Sequence, residues 1–251
     1  VPNQLNVRGV YSEKKGIAID HFEFALDKER VTGRAWVKSF LDPEYSIKLQ
    51  TSGFKTHPVA SAVDELEYNQ SGEVDLDISG RGHLSRIEDS LFEGSMGLKN
   101  LVFKWEGQAH PVTLSADIRF SGQTYNLRVG KLESEHSDLK FSGMLKNGKR
   151  PELTLELSGK SLVLDELIPT GGEEEETDLR NLLEQSRFFS QGASSFTVDL
   201  GSLSYKRMVF NDVLGKFLLK DREIKIDRIQ IGSLNPIVAI GKFSVKDPEA
   251  I

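Results

Sequence analysis

The five histidines are the side chains best suited to binding a metal ion or transferring a proton, but their spacing favours neither role. Successive histidines are separated by 26 to 36 residues, and no two show a metal-ligand spacing such as His-x3-His. The sequence therefore predicts no metal site and places each histidine on the surface or in a loop. The five are His21, His57, His83, His110 and His136.

A segment at residues 143–150 comes close to the pattern of a phosphate-binding loop. Its sequence is GMLKNGKR, and Arg150 stands where that loop has the Ser or Thr that binds magnesium. The segment also lies between two predicted strands, so no helix N-terminus follows to bind a phosphate. Cysteine is absent, which removes thiolate metal sites and cysteine nucleophiles. The sequence therefore predicts no cofactor, no catalytic residue and no enzyme activity.

The composition predicts a folded protein that does not bind nucleic acid. Hydrophobic residues make up 38% of the 251 residues and charged residues 28%, as in globular chains. The net charge is −6 without a dense basic stripe, whereas nucleic-acid binding needs clustered Lys and Arg. No apolar run approaches the ~18 residues of a membrane-spanning helix. The chain opens on Val1 and Pro2, so we expect a processed or excised segment whose membrane anchor lies outside it.

Polar and apolar residues alternate in three stretches, residues 73–79, 112–120 and 152–158. Successive side chains of a strand point to opposite faces, so each stretch predicts a strand with one apolar and one polar face. We expect carboxylates of the polar face, such as Asp75 and Asp77, to be solvated. One-sided alternation is typical of antiparallel sheets. The sequence thus predicts a mainly β fold, a curved antiparallel sheet that forms either an open β-groove or a closed sandwich or barrel.

The chain also resembles itself. Residues 43–50 (PEYSIKLQ) match residues 151–158 (PELTLELS), and a glycine precedes each, at Gly33 and Gly143. A third copy contains Gly241. Such self-similarity predicts repeated multi-strand units, in one continuous β-rich domain or in two fused β units. The three units are predicted to span about residues 16–60, 95–168 and 194–246. The continuous domain is predicted to span residues 1–251.

One segment has helical rather than strand periodicity. In residues 178–190, leucines recur on one helical face, which predicts a short helix. The run of four glutamates ahead of it, in residues 169–177, predicts a solvated acidic loop, with cation binding as the alternative. A second short helix is predicted over residues 59–66.

Several passages resemble the AsmA-like proteins of Gram-negative envelopes, relatives of the bridge-like lipid-transfer proteins with repeating β-grooves. Residues 74–82 and 90–96 resemble the family's apolar strand with Gly-x-Gly, followed by Ser-Leu-x-Gly. Residues 141–167 resemble its strand glycine, Pro-x-Leu-x-Leu and Leu-Asp-x-Leu passage, and residues 224–245 resemble its closing strands. Together the passages cover roughly residues 70–246. The resemblance brings no catalytic residues with it.

The resemblance implies a periplasmic region of an inner-membrane-anchored protein that acts in outer-membrane biogenesis or in phospholipid passage between membranes. The implied partners are a phospholipid or other acyl-chain lipid, and neighbouring repeats or envelope proteins. The alternative is a structural or protein-interaction module whose apolar face is sealed inside a core. The candidate lipid-facing positions are Leu76, Ile78, Leu114, Ile118, Leu127, Leu153, Leu155, Leu157, Ile224 and Ile226.

Overall fold

The computed structural model describes residues 4–13, 16–39, 42–56, 69–104, 110–167, 192–220 and 223–244. Almost all of them are in β strands, which confirms the prediction of a mainly β fold. The predicted helices at 59–66 and 178–190 and the predicted acidic loop at 169–177 lie outside the described residues. The fourteen strands are β1 Gln4–Ser12, β2 Gly16–Leu26, β3 Glu29–Lys38, β4 Glu44–Lys55, β5 Asn69–His83, β6 Arg86–Phe103, β7 Val112–Gly122, β8 Thr124–Glu133, β9 Asp138–Lys146, β10 Glu152–Val163, β11 Ala193–Tyr205, β12 Met208–Lys220, β13 Glu223–Ile231 and β14 Ile237–Ser244.

Hydrogen bonding between strands follows chain order from β1 to β14. β1 and β14 are the two ends of that order, so the described strands form an unclosed sheet. The open-sheet alternative is therefore confirmed, and the described strands form neither a closed barrel nor a sandwich of two sheets. Among the described strands, the outer backbone groups of β1 and β14 have no strand partner.

One strand pair departs from the predicted antiparallel arrangement. β10 and β11 run parallel, with Leu155 opposite Phe196, whereas β9 and β10 are antiparallel. Parallel neighbours need a long crossover between them, and residues 164–192 supply it. That connection begins with a short 3-10 helix, Leu164–Glu166. The alternating pattern of residues 152–158 fixes the faces of β10 but carries no information about the direction of its next neighbour.

The chain divides into two compact units. Unit 1 comprises Val1–Lys104 and Leu114–Arg128, and unit 2 comprises Trp105–Thr113 and Val129–Ile251. The first predicted repeat falls on β2 to β4, the second on the second half of β6 and on β7 to β10, and the third on β11 to β14. Whether these segments are true repeats, and whether they belong to one continuous domain, stays a prediction.

The strands of unit 1 contain several β-bulges. The register shifts between Arg8 and Gly9, between Ile19 and Phe22, and between Thr51 and Phe54. An extra residue in one strand bends that strand and increases its twist. It also shifts the alternation by one residue, so that Phe22 lies on the same face as Ile19 although two residues lie between them. The apolar face therefore continues through each bulge.

Unit 2 contains a small buried core. Leu139, Leu162, Leu200 and Val213 form it, and each is at most 8% exposed. The 3-10 helix contributes Leu164, which packs against this cluster together with neighbouring apolar side chains. The core therefore lies at the end of β10 where the chain leaves the sheet.

Candidate functional site

The predicted apolar positions of β5 lie on one continuous face of unit 1. Leu76 is paired with Met96 of β6, and Ile78 is paired with Leu49 of β4. Directly paired residues of neighbouring strands project to the same face, so these side chains are neighbours. The same face extends over β1 to β3 through a set of mostly aliphatic and aromatic side chains. They are Leu5, Val7, Ile19, Phe22, Val31, Ala35 and Val37.

An aromatic cluster joins β7 and β8 to this face. The rings of Phe92 and Tyr125 have centroids 6.3 Å apart, and those of Phe120 and Tyr125 are 5.4 Å apart. Phe92 is opposite Gly80, which lies on the same face as Ile78. Strand alternation then places the remaining candidates of unit 1 on this face too. They are Leu114 and Ile118 of β7 and Leu127 of β8.

The candidates of unit 2 are brought together in cross-strand rows over β10 to β13. Leu157 is paired with Phe141 of β9 and with Val198 of β11, and so extends the face to both sides. The structure thus places residues that are about 70 positions apart in sequence on one apolar face. The two rows that contain the other four candidates are Leu155–Phe196–Phe217–Ile226 and Leu153–Ser194–Leu219–Ile224.

All ten predicted positions are partly buried, neither fully covered nor fully exposed. In contrast, Val112 is 1% exposed and Leu200 is 2% exposed, as expected of a closed core. A sandwich would have buried the predicted rows to a similar extent, because a second layer would cover them. The apolar face of each unit is therefore in contact with solvent along the rows that the sequence singled out.

The sequence did not reveal how the aromatic rings pack on this face. Phe22 is opposite Gly33 and Phe92 is opposite Gly80, and a Cβ at either glycine would lie within 2.7 Å of the facing ring. Phe141 covers Gly130 in the same way. Each ring fills the space above a neighbouring glycine, so these strands accept only glycine there. The strand register is needed to see these pairs, since the glycine spacing alone does not identify the aromatic partner.

The polar face of unit 1 carries the paired carboxylates that the sequence noted. Asp75 forms an ion pair with Lys99 at 2.5 Å, and Asp77 is 62% exposed. The hydrogen bond from Lys99, followed by that from the Gly53 amide, holds the pKa of Asp75 below its usual value. Carboxylates paired with lysines, as Asp75 is with Lys99 and Asp77 with Lys48, suit a solvated face.

No family model matches this chain, and no curated protein or solved structure matches it significantly. The AsmA-like resemblance therefore stays a prediction, and functional reasoning rests on the geometry of the two faces. Among the helices of the described residues, none has the length and apolar character needed to cross a membrane.

Two of the histidines come together in unit 2. The rings of His110 and His136 are 6.0 Å apart, and their Nδ1 atoms contact carboxylate oxygens of Glu135 and Glu166, respectively. Their separation of 26 residues gave no hint of this contact. Over the described residues, no group of three His, Cys, Asp or Glu side chains is arranged to hold a metal ion. His57 lies outside the described residues.

Glu166 ties the 3-10 helix to the turn between β8 and β9. Its Oε2 accepts hydrogen bonds from the hydroxyls of Ser134 and Ser137, the latter at 2.8 Å, and its Oε1 lies 2.7 Å from Nδ1 of His136. Burial alone would raise the pKa of Glu166, but the hydrogen bonds from the two serines and His136 outweigh it and leave the pKa lowered. The hydrogen bond to Glu166 raises the pKa of His136. This network holds the helix over the buried core and is structural.

Proposed function

We propose that this chain is a non-catalytic segment of an AsmA-like envelope protein that shields or conducts phospholipid tails along its apolar β face. The observation that supports this proposal is the partial exposure of all ten predicted apolar positions on an unclosed sheet. An apolar surface in contact with water is unfavourable unless something covers it. An acyl chain is a suitable cover because it needs no polar recognition.

The energetics favour a lipid tail on such a face. Burial of a methylene group contributes roughly 0.8 kcal/mol, so a tail that covers several cross-strand rows offsets much of its removal from a membrane. The contact between an acyl tail and the apolar face depends on the apolar area that is buried and not on the direction of the tail. A tail could therefore slide from the Leu153 row to the Leu155 row without breaking a directional bond, since both rows are mainly apolar and the one polar member, Ser194, is buried. Neighbouring apolar rows suit conduction as well as shielding.

The proposed location is the periplasm, as part of an inner-membrane-anchored protein. The resemblance supports it, and the absence of cysteine suits an oxidising compartment. Alkaline phosphatase fused to the full-length protein immediately after Ser244 tests this location, because that enzyme needs disulfides to become active. We expect an active fusion in the envelope, and an active cytoplasmic reporter at the same position would contradict the proposal.

Site-specific photocrosslinking tests contact with lipid tails. We expect a photoreactive phenylalanine at Leu155 to crosslink to phospholipid, because Leu155 is partly exposed on the apolar face. The matched control places the same amino acid at Glu156, the next residue of β10 and on the opposite face. Comparable lipid adducts at both positions would contradict the proposal, since a tail on the apolar face cannot reach Glu156.

Native mass spectrometry of the purified chain provides an independent test. We expect phospholipid to co-purify in a defined ratio, and detergent or a competing fatty acid to displace it. An apolar dye should bind in the same ratio after the lipid is removed. A chain that carries no lipid and binds no dye would favour a face covered by protein.

A protein-interaction module is the second candidate, and the end strands of the sheet favour it. On β1, Leu5 is 67% exposed and Val10 is 65% exposed, and on β14 Ile240 is 76% exposed. An exposed apolar edge strand is a template for pairing with a further strand from a neighbouring repeat or a partner. Val10→Lys and Ile240→Lys should each prevent such pairing without changing the lipid crosslink at residue 155, since neither side chain is on the apolar face. Light scattering and pull-down of envelope partners distinguish the two candidates.

A further inference from the structure

The polar face of unit 1 carries an exposed tryptophan. Trp36 of β3 is 39% exposed and lies between Ala18 of β2 and Ser46 of β4. Val10 of β1 is opposite Ala18 and is 65% exposed. These residues form one cross-strand row on the side opposite Ile19 and Ala35, so the indole takes no part in the apolar face. The row continues through Ser46 and Arg81 to Leu91, so it has three exposed apolar side chains on a face that is otherwise mostly charged or polar.

Four exposed cations surround this row. Arg34 and Lys38 flank Trp36 on the same face of β3, Arg81 is opposite Ser46, and Arg8 is two residues from Val10. Within the described residues, none of the four forms an ion pair or a side-chain hydrogen bond. We call this surface the basic Trp36 patch, and its members are Arg8, Val10, Arg34, Trp36, Lys38 and Arg81.

The rest of the same polar face differs from the patch. Arg30 lies 2.6 Å from Glu23, and Lys99 lies 2.5 Å from Asp75, so these two cations are neutralised. Four carboxylates lie on the same face around the basic Trp36 patch: Asp20, Glu44, Asp89 and Glu93. None of them is within ion-pair distance of the four patch cations, which are therefore not directly neutralised. Unpaired cations around an exposed indole leave the patch suited to an anionic partner.

We propose that the basic Trp36 patch docks unit 1 on the surface of an anionic lipid bilayer. Lys and Arg near an anionic leaflet are attracted by its surface potential. Tryptophan prefers the headgroup level, where its ring is half-buried and its N–H group finds an acceptor. The patch lies on the face opposite the one proposed to hold lipid tails, so the two proposals are independent. The acidic balance of the chain argues against nucleic acid as the partner.

Flotation with lipid vesicles tests the proposal. The full chain is mixed with phosphatidylcholine vesicles with and without phosphatidylglycerol, and the bound fraction is measured at increasing salt. We expect binding to the anionic vesicles alone. We expect that binding to weaken as the screening length falls from about 8 Å at physiological salt to about 3 Å at 1 M. In a Trp105→Phe background, Trp36 is the only tryptophan, and its emission should shift to shorter wavelength on binding.

Charge reversal within the patch identifies the surface. We expect the Arg34→Glu, Arg81→Glu variant to lose roughly tenfold or more in partition coefficient, since each basic residue near an anionic surface contributes measurably. The matched control is Lys140→Glu, Lys160→Glu, which makes the same change in net charge at exposed strand positions of unit 2. Circular dichroism checks that both double variants are folded. If the Arg34→Glu, Arg81→Glu variant fails to fold, Arg34→Gln, Arg81→Gln replaces it.

Several outcomes would overturn the proposal. The two charge-reversal variants could bind equally, or the chain could bind neutral vesicles as well as anionic ones, or the emission of Trp36 could stay unchanged while vesicles are bound. Binding of an acidic protein or an oligonucleotide through Arg34 and Arg81, without vesicle binding, would assign the patch to another class of partner. None of these results affects the lipid crosslink at residue 155, so failure here and failure of the proposed function are distinguishable.

Discussion

β10 passes through two regions that differ in how its leucines are covered. Leu155 is partly exposed on the apolar face, whereas Leu162 is 8% exposed in the core of unit 2. Both belong to the same side of the sheet, because a bulge between Gly159 and Ser161 shifts the alternation by one residue. The same strand and the same residue type thus give a closed core at one end and a solvent-exposed row at the other.

The difference arises from what covers the sheet. At the closed end, the 3-10 helix places Leu164 over Leu162, and the carboxylate of Asp165 accepts a hydrogen bond from the Lys206 amide at 2.6 Å. Glu166 anchors the other side of the helix through Ser134 and Ser137. In the described residues, nothing comparable covers Leu155. Leucine content therefore does not determine whether this sheet is sealed. What seals it is the 3-10 helix Leu164–Glu166, held in place by polar contacts, which we call the cap.

The largest expected effect comes from the closed region. Leu200→Ala should lower the free energy of unfolding by about 2–5 kcal/mol, because the side chain is 2% exposed and its loss leaves a cavity. Urea unfolding followed by tryptophan fluorescence and circular dichroism measures the change. Lipid crosslinking at residue 155 should persist at low urea. A loss below ~1 kcal/mol would show that the cluster around Leu200 is not a closed core.

Glu166→Gln should have the next largest effect. The amide keeps the shape of the side chain but weakens charge-assisted hydrogen bonds to Ser137 and His136, and we expect a loss of about 1–3 kcal/mol. Hydrogen exchange should increase at the amide of Val163, which donates to the hydroxyl of Ser137. Unchanged protection at Val163 would contradict the proposed role of the network as the anchor of the cap.

Much of the open region could be predicted from sequence, and much of the closed region could not. Strict alternation identified Leu153, Leu155 and Leu157, because every second side chain of a strand projects to the same face of the sheet. The cap depends on long-range contacts, such as those between Ser134 and Glu166, which carry no local pattern. The parallel pairing of β10 with β11 was missed for the same reason. The basic Trp36 patch also required the register, since its members come from three strands, β1, β3 and β5.

A substitution in the solvent-exposed row that contains Leu155 should lower the free energy of unfolding by less than a substitution in the closed core. Leu155→Ala removes a partly exposed side chain, so we expect a loss of at most about 1–1.5 kcal/mol, well below that of Leu200→Ala. The lipid content of the purified chain should fall at the same time, because apolar contact area is lost. Thr154→Ala, on the opposite face of the same strand, is the control and should leave the lipid content unchanged. Equal losses of stability at residues 155 and 200 would mean that the open row is covered after all.

The smallest effect is the pH dependence of the cap. Folding lowers the pKa of Glu166, so its contribution to stability is fully present above its ordinary value of 4.5 and is lost as pH falls through the lowered value. Folding raises the pKa of His136, so its contribution is present below its ordinary value of 6.5 and is lost as pH rises through the raised value. Stability from this pair is therefore greatest between those limits. We expect only a small contribution from His136, whose side chain is 61% exposed and well screened.

Urea unfolding across this pH range, with wild type and Glu166→Gln compared at each pH, isolates the pair from the other titrating groups. The difference in unfolding free energy should be largest at mildly acidic pH, where Glu166 is ionised and His136 is protonated, and should shrink on both sides. Leu155→Ala keeps the network, so its difference from wild type should not vary with pH. A constant difference for Glu166→Gln would show that the hydrogen bonds between Glu166 and the serines hold the cap without help from charge. The closed end would then be distinguished from the open row by packing and neutral hydrogen bonding alone.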